Sequence, residues 1–118
     1  MKCFQAIENK KPIIINQRGE QTRDFLHVQD AVEAIMLTIK KQVSGFKIFN
    51  ISSGTGIQIK NMIKLIEKYS KKNIPKKITD NKLGIKYIVG NNSKAKRELN
   101  FVVKIDIEQG IKNMVNES

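Results

Sequence analysis

The chain has 118 residues, 40% of them hydrophobic and 28% charged, with a formal net charge of +11. That length suits one small domain with a modest core or a piece of something larger, and no apolar run approaches the roughly 18 residues of a membrane span. The opening residues MKCFQAIENKKP lack the apolar stretch and cleavage site of a secretory leader, and the single cysteine, Cys3, offers neither an internal disulfide nor a metal-ligand pair, so a reducing cytoplasm is expected and a membrane partner is not.

The first segment, MKCFQAIENKK, sets Phe4 and Ile7 three apart and predicts a helix stopped by Pro12. PIIIN is a short apolar run bounded by turn-formers, read as a buried strand. QRGEQ turns around Gly19, and TRDFLHV returns as an extended stretch. Asp30 then opens DAVEAIMLTIKK, with Glu33 at capping-box spacing and Val32, Ile35, Met36 and Ile39 at the spacing of one buried helix face. FKIFNIS reads as a strand, with Phe46, Ile48 and Asn50 on one face and Phe49 and Ile51 on the other. SGTG leads into IQIKNMIKLIEKYSKK, whose Ile59, Met62, Ile63, Ile66 and Tyr69 form a second helical stripe. KNIPKKITDNKLG is a polar connector, IKYIVG alternates like a strand, and NNSKAKRELNF is a short capped helix closing on Leu99 and Phe101. The last helix opens with Asp106 as cap and Gln109 three later, burying Ile107, Ile111 and Met114 or Val115. Short strands alternating with amphipathic helices make a small α/β or α+β unit.

The positive charge is almost all lysine, with arginine only at 18, 23 and 97. Arginine's planar fork is what base-reading and phosphate-gripping surfaces concentrate, so a solvated lysine coat is the reading adopted and no nucleic-acid partner is expected. SGTG, at 53–56, sits where backbone N–H groups can cradle a phosphate. It lacks the third glycine of a dinucleotide fingerprint and the ending of a P-loop, and reads better as a tight strand-to-helix turn. His27 is the only histidine, which disfavours a zinc site and leaves a half-buried structural role. Arg23 and Asp24 stay open between two readings. Either Arg23 points outward to grip a diphosphate while Asp24 tethers a loop through backbone hydrogen bonds, or the two form a structural ion pair at a turn.

Three motifs in order, RGEQTRDFLHVQDAVEAI, FNISSGTGIQIKNMIKLIEK and NSKAKRELNF before a capped terminal helix, resemble the C-terminal part of NAD-dependent nucleotide-sugar epimerases and dehydratases, the extended short-chain dehydrogenase/reductase family, with a UDP-glucose 4-epimerase-like pattern. The resemblance spans essentially all 118 residues. It implies an α/β fold that is the C-terminal fragment of the family fold without the N-terminal Rossmann part, a single nucleotide-sugar-binding region over 1–118 of a truncated protein. Arg23 matches the family arginine that contacts the substrate diphosphate, which decides between the two readings in favour of binding. Asn50 matches a position that contacts the nucleotide in some members. The family's Arg-Pro-Gly-Asp stretch, source of a second phosphate-binding arginine, reads TDNKLG here, where Lys82 stands in as a point charge without a bidentate grip.

Family members also carry a Gly-rich NAD-binding fold and a catalytic Tyr-x-x-x-Lys. Neither Tyr69 nor Tyr87 has that spacing, each being followed four residues on by asparagine, and no Gly-x-x-Gly-x-x-Gly occurs. No catalytic, cofactor-binding or metal residue is therefore assigned. NAD belongs to the full-length family and is not expected to bind this chain alone. The partners expected are a nucleotide sugar and a homo-oligomer or other association through the face that would pack on the missing domain. The competing reading is a non-catalytic binding or complementing subunit that docks on a separate NAD-binding chain.

Overall fold

The computed structural model describes residues 2–42, 44–81 and 84–116. In chain order come α1 (Lys2–Asn9), β1 (Ile13–Ile15), a 3-10 turn at Asn16–Gly19, β2 (Thr22–Asp24), α2 (Val28–Lys40), β3 (Gly56–Gln58), α3 (Ile59–Ser70), β4 (Lys76–Ile78), β5 (Tyr87–Ile88), α4 (Ser93–Leu99) and α5 (Ile107–Asn116). β1 pairs in parallel with β4, Ile13 opposite Lys76. β2 lies between antiparallel β3 and parallel β5, with Arg23 opposite Ile57 on one side and Ile88 on the other. This is the mixed α/β architecture expected, with strands of two or three residues carried by amphipathic helices.

Two separate cores hold these elements. The larger packs Cys3 and Ala6 of α1, Ile15, Ile63 and Ile66 of α3, Ile74 and Ile111 of α5, with Ile59, Met62, Tyr69, Ile107 and Val115 at its edge. The α3 stripe and the terminal helix thus turn their predicted faces to this core, with Ile63, Ile66 and Ile111 buried and Ile59, Met62, Tyr69, Ile107 and Val115 partly so, while Met114 is exposed, and Asp106 accepts the Gln109 N–H at 2.8 Å as the cap. The smaller core gathers Ala34, Ala95, Leu99 and Phe101 with Leu26, Leu37, Phe49, Ile51 and Val103 against it. Two small cores make an elongated body: the radius of gyration is 16.7 Å, against about 13 Å for a compact domain of roughly this size.

Four expectations are corrected. The α2 stripe is not buried: Val32, Ile35, Met36 and Ile39 are 53%, 60%, 42% and 63% exposed, while Asp30 and Ala34 are the buried residues of that helix. Spacing locates an apolar face but does not say what covers it, and among the described residues nothing does. Asp30 is not the α2 cap either. The His27 Nδ1 accepts the Gln29 N–H at 3.2 Å and fills that position, while Asp30, 1% exposed, accepts the backbone N–H groups of Lys104 and Ile105 at 3.1 Å each. Its helix offers the carboxylate to the segment entering α5, and Glu33 pairs with the Lys104 ammonium beside it. Residues 46–52 form no strand, because a strand exists only with a ladder partner and none lies alongside among the described residues; Phe46 is 90% exposed. Conversely, the polar connector supplies β4, made by its parallel neighbour β1 rather than by its own lysine-rich pattern.

Phe101→Ala should lower the stability of the chain by about 3–5 kcal/mol, since Phe101 is 1% exposed in the smaller core. Ile35→Lys on the open α2 face should change it by about 0.5 kcal/mol or less. Urea unfolding of both variants checks the assignment; equal losses would mean the α2 face is covered.

Candidate functional site

β2 is three residues long, and its alternation sends Arg23 to one face and Thr22 and Asp24 to the other. The Asp24 carboxylate is the acceptor around which the site is organised. Its Oδ1 takes the Ser53 N–H at 2.9 Å and the Ser53 hydroxyl, and its Oδ2 takes the Gly54 N–H at 2.9 Å and the Gly90 N–H at 3.1 Å. Partial burial pushes this carboxyl up, but the bonds from the Ser53 hydroxyl and from the Ser53, Gly90 and Gly54 N–H groups outweigh it and hold the carboxyl below its ordinary value. The tether predicted for Asp24 is therefore present, and its bonds go to 53–54 and Gly90 rather than to Arg23.

The SGTG loop serves that tether. Its Ser53 and Gly54 N–H groups point at Asp24, and the Thr55 N–H bonds the Ser53 hydroxyl at 3.1 Å. Donors so committed leave the loop no nest for a phosphate, and it is not the strand-to-helix turn expected, since it runs from the irregular 46–52 stretch into β3 at Gly56. Glycine is required at the points of closest approach. A Cβ on Gly56 would come within 2.5 Å of the Thr22 methyl, and one on Gly90 would overlap Ser52.

Arg23 lies half-buried at the sheet rim, where one terminal nitrogen donates to the Thr22 carbonyl and the other to the Ile85 carbonyl, both at 2.7 Å. Two bonds of the five an arginine can donate fix the guanidinium and leave donors for an anion. Asn50 is exposed in the irregular stretch three residues before Ser53, the residue that bonds Asp24. Lys82 lies outside the described residues. The Phe25-Leu26-His27 run is packing: Leu26 joins the smaller core, and Phe25 and His27 line an apolar cavity of about 430 Å³ with Met62, Ile66 and Ile111. Burial pushes the Cys3 thiol at its edge up, away from reactivity.

Sequence reasoning passed over Arg18. Its Nε donates to Asp80 Oδ1 at 2.5 Å and a terminal nitrogen to Oδ2 at 3.3 Å, joining the 3-10 turn to the 79–84 segment. The guanidinium holds the Asp80 carboxyl below its ordinary value, and Asp80 holds the arginine proton more tightly in return. Nothing in the local pattern marked this pair, since its partners are 62 residues apart.

The profile of the GDP-mannose 4,6 dehydratase family matches residues 1–114. The chain is 32% identical to a UDP-glucuronate 4-epimerase of Thermodesulfobacterium geofontis over 100% of its own length and 38% of that protein's. It is 33% identical to the UDP-glucose 4-epimerase of Bacillus subtilis over 77% of this chain and 28% of the other. The solved structure of MoeE5 in complex with UDP-glucuronic acid and NAD superposes with a TM-score of 0.89 at 21% identity, covering 98% of this chain and 39% of that one. The fold is thus that expected for the C-terminal part of an extended short-chain dehydrogenase/reductase, and the chain spans about a third of the length of the curated relatives it matches.

Asp24→Asn should cost about 1–2 kcal/mol at pH 7, the low end for bonds to a charged acceptor because the site is half-exposed. Because the folded-state value is lowered, the carboxylate's contribution is complete above the unfolded value of about 3.9 and is lost as pH falls through the folded value. Denaturant unfolding of both proteins at pH 7 and pH 3 should show the gap narrowing at pH 3; a gap that stays constant would place the loss elsewhere.

Proposed function

The chain belongs to the GDP-mannose 4,6 dehydratase family of NAD-dependent nucleotide-sugar epimerases and dehydratases, and on that premise we propose that it is a nucleotide-sugar-binding region that holds the substrate diphosphate at Arg23. The observation that carries the reading is the Arg23–Asp24 division of labour. Asp24 locks the 53–54 loop and Gly90 to β2, while its neighbour on the opposite face presents a fixed guanidinium at the rim. A guanidinium held in place loses little freedom on binding, which favours a bidentate contact with phosphate oxygens. Asn50 and Lys82 are the further contacts proposed, toward the nucleotide and the phosphates.

The residues present do not fit NAD. The one glycine-rich loop between extended segment and helix gives its N–H groups to Asp24, and no Gly-x-x-Gly-x-x-Gly or Tyr-x-x-x-Lys occurs in the sequence. We therefore assign this chain substrate binding without hydride chemistry, as a single region over 1–118 acting in the cytoplasm. The open α2 face of Val28, Val32, Ile35, Met36 and Ile39 favours a partner of family type: the NAD-binding part of the fold, carried on the same polypeptide or docked as a separate chain. An apolar stripe of that size on a protein surface marks a contact face.

Thermal melts with UDP-, dTDP- and GDP-sugars should show a rise with one nucleotide class, and Arg23→Ala should weaken that binding by about 10–100-fold. A variant that binds as tightly as the original chain would remove Arg23 from the site. Incubation with NAD and the same nucleotide sugars should give no conversion; measurable turnover would overturn the division between binding and chemistry.

A further inference from the structure

The 79–84 segment has no arginine, yet an arginine reaches it from elsewhere in the chain. Gln17 and Arg18 are consecutive non-glycine residues at φ 49° and 50°, a left-handed conformation uncommon for such side chains and found where a structure over-determines it. Three backbone bonds do so here: Gln17 N–H to the Asn81 carbonyl, Arg18 N–H to the Thr79 carbonyl and Glu20 N–H to the Gln17 carbonyl. They deliver the Arg18 side chain to Asp80, at the wall of a cleft of about 580 Å³ lined by Gln17, Arg18, Glu20, Asp80, Gly84 and Lys86. Arg23 donates to the Ile85 carbonyl, whose chain neighbours Gly84 and Lys86 line that cleft. The two guanidiniums are thus fastened to the Asp80 carboxylate and to the Ile85 carbonyl.

We infer that Arg18 is a second diphosphate-binding arginine of this chain, acting with Arg23 at the cleft that Gly84 and Lys86 line. The inference rests on the diphosphate reading given above. Arg18 and Lys86 supply positive charge, and Glu20 and Asp80 oppose it. Asp80 is the counter-ion that orients the fork in the free protein. The Arg18 and Asp80 side chains are 70% and 75% exposed, so solvent screens their attraction and a more highly charged diphosphate competes for the guanidinium.

Isothermal titration of the full chain with UDP, dTDP, GDP and inorganic pyrophosphate, run with Arg18→Ala, Arg18→Lys, Asp80→Asn and Arg23→Ala, tests this. For the nucleotide that binds and for pyrophosphate, Arg18→Ala should weaken binding at least about tenfold, Arg18→Lys should recover part of it, and Asp80→Asn should bind at least as tightly as the original chain. Equal losses in Arg18→Ala and Asp80→Asn would show that the pair only braces the turn, and overturn the inference. So would Arg18→Ala binding unchanged while Arg23→Ala fails, which leaves the reading of Arg23 standing. If the original chain binds none of the four, that reading falls and this inference with it. Melting each variant without ligand separates lost binding from lost fold.

Discussion

One carboxylate gathers the parts of this chain from which the proposed ligand site is built. Asp24 accepts from Ser53, Gly54 and Gly90, three residues that lie 29 to 66 positions away in sequence. Strands of two or three residues form few ladder bonds and do not by themselves fix a loop against a sheet. The charge-assisted bonds to Asp24 supply that fixation, and the absence of a Cβ at Gly56 and Gly90 lets the backbones come close enough to make them. Arg23 inherits its position as the neighbour of a pinned residue.

Asp30 repeats the same device at the other core. A buried carboxylate on α2 accepts two N–H groups of the segment entering α5, so the helix is joined to the smaller core through Asp30, Ala34 and Leu37 rather than through its Val32-Ile35-Met36-Ile39 stripe. Burial of a carboxylate is tolerated where its oxygens are bonded. The consequence is an α2 turned outward, with five large apolar side chains facing solvent.

What the sequence made legible was local. Helix spacing located α3 and α5, the Asp106–Gln109 cap was visible three residues apart, and the tether at Asp24 was one of two readings that the Arg-Asp pair left open. What stayed hidden depended on distant partners. The α2 stripe has helical spacing whether or not anything covers it, β4 is a lysine-rich stretch made a strand by β1, and residues 46–52 have strand alternation without a strand beside them. The Asp30 role was misread because a carboxylate at a helix start suits a cap, and a histidine one turn earlier filled that place. Arg18 was overlooked for the related reason that its partner Asp80 is far along the chain.

The claim on which all of this turns is that the rim formed by β2 and residues 84–86 is where a nucleoside diphosphate rests. Amide chemical-shift mapping of the chain during titration with nucleoside diphosphates addresses it directly. The account predicts shifts concentrated at Thr22–Asp24, at residues 84–86 and at the Ser53–Gly54 amides that bond Asp24. Shifts confined to the apolar cavity between α3 and α5, around Met62, Ile66 and Ile111, would contradict it.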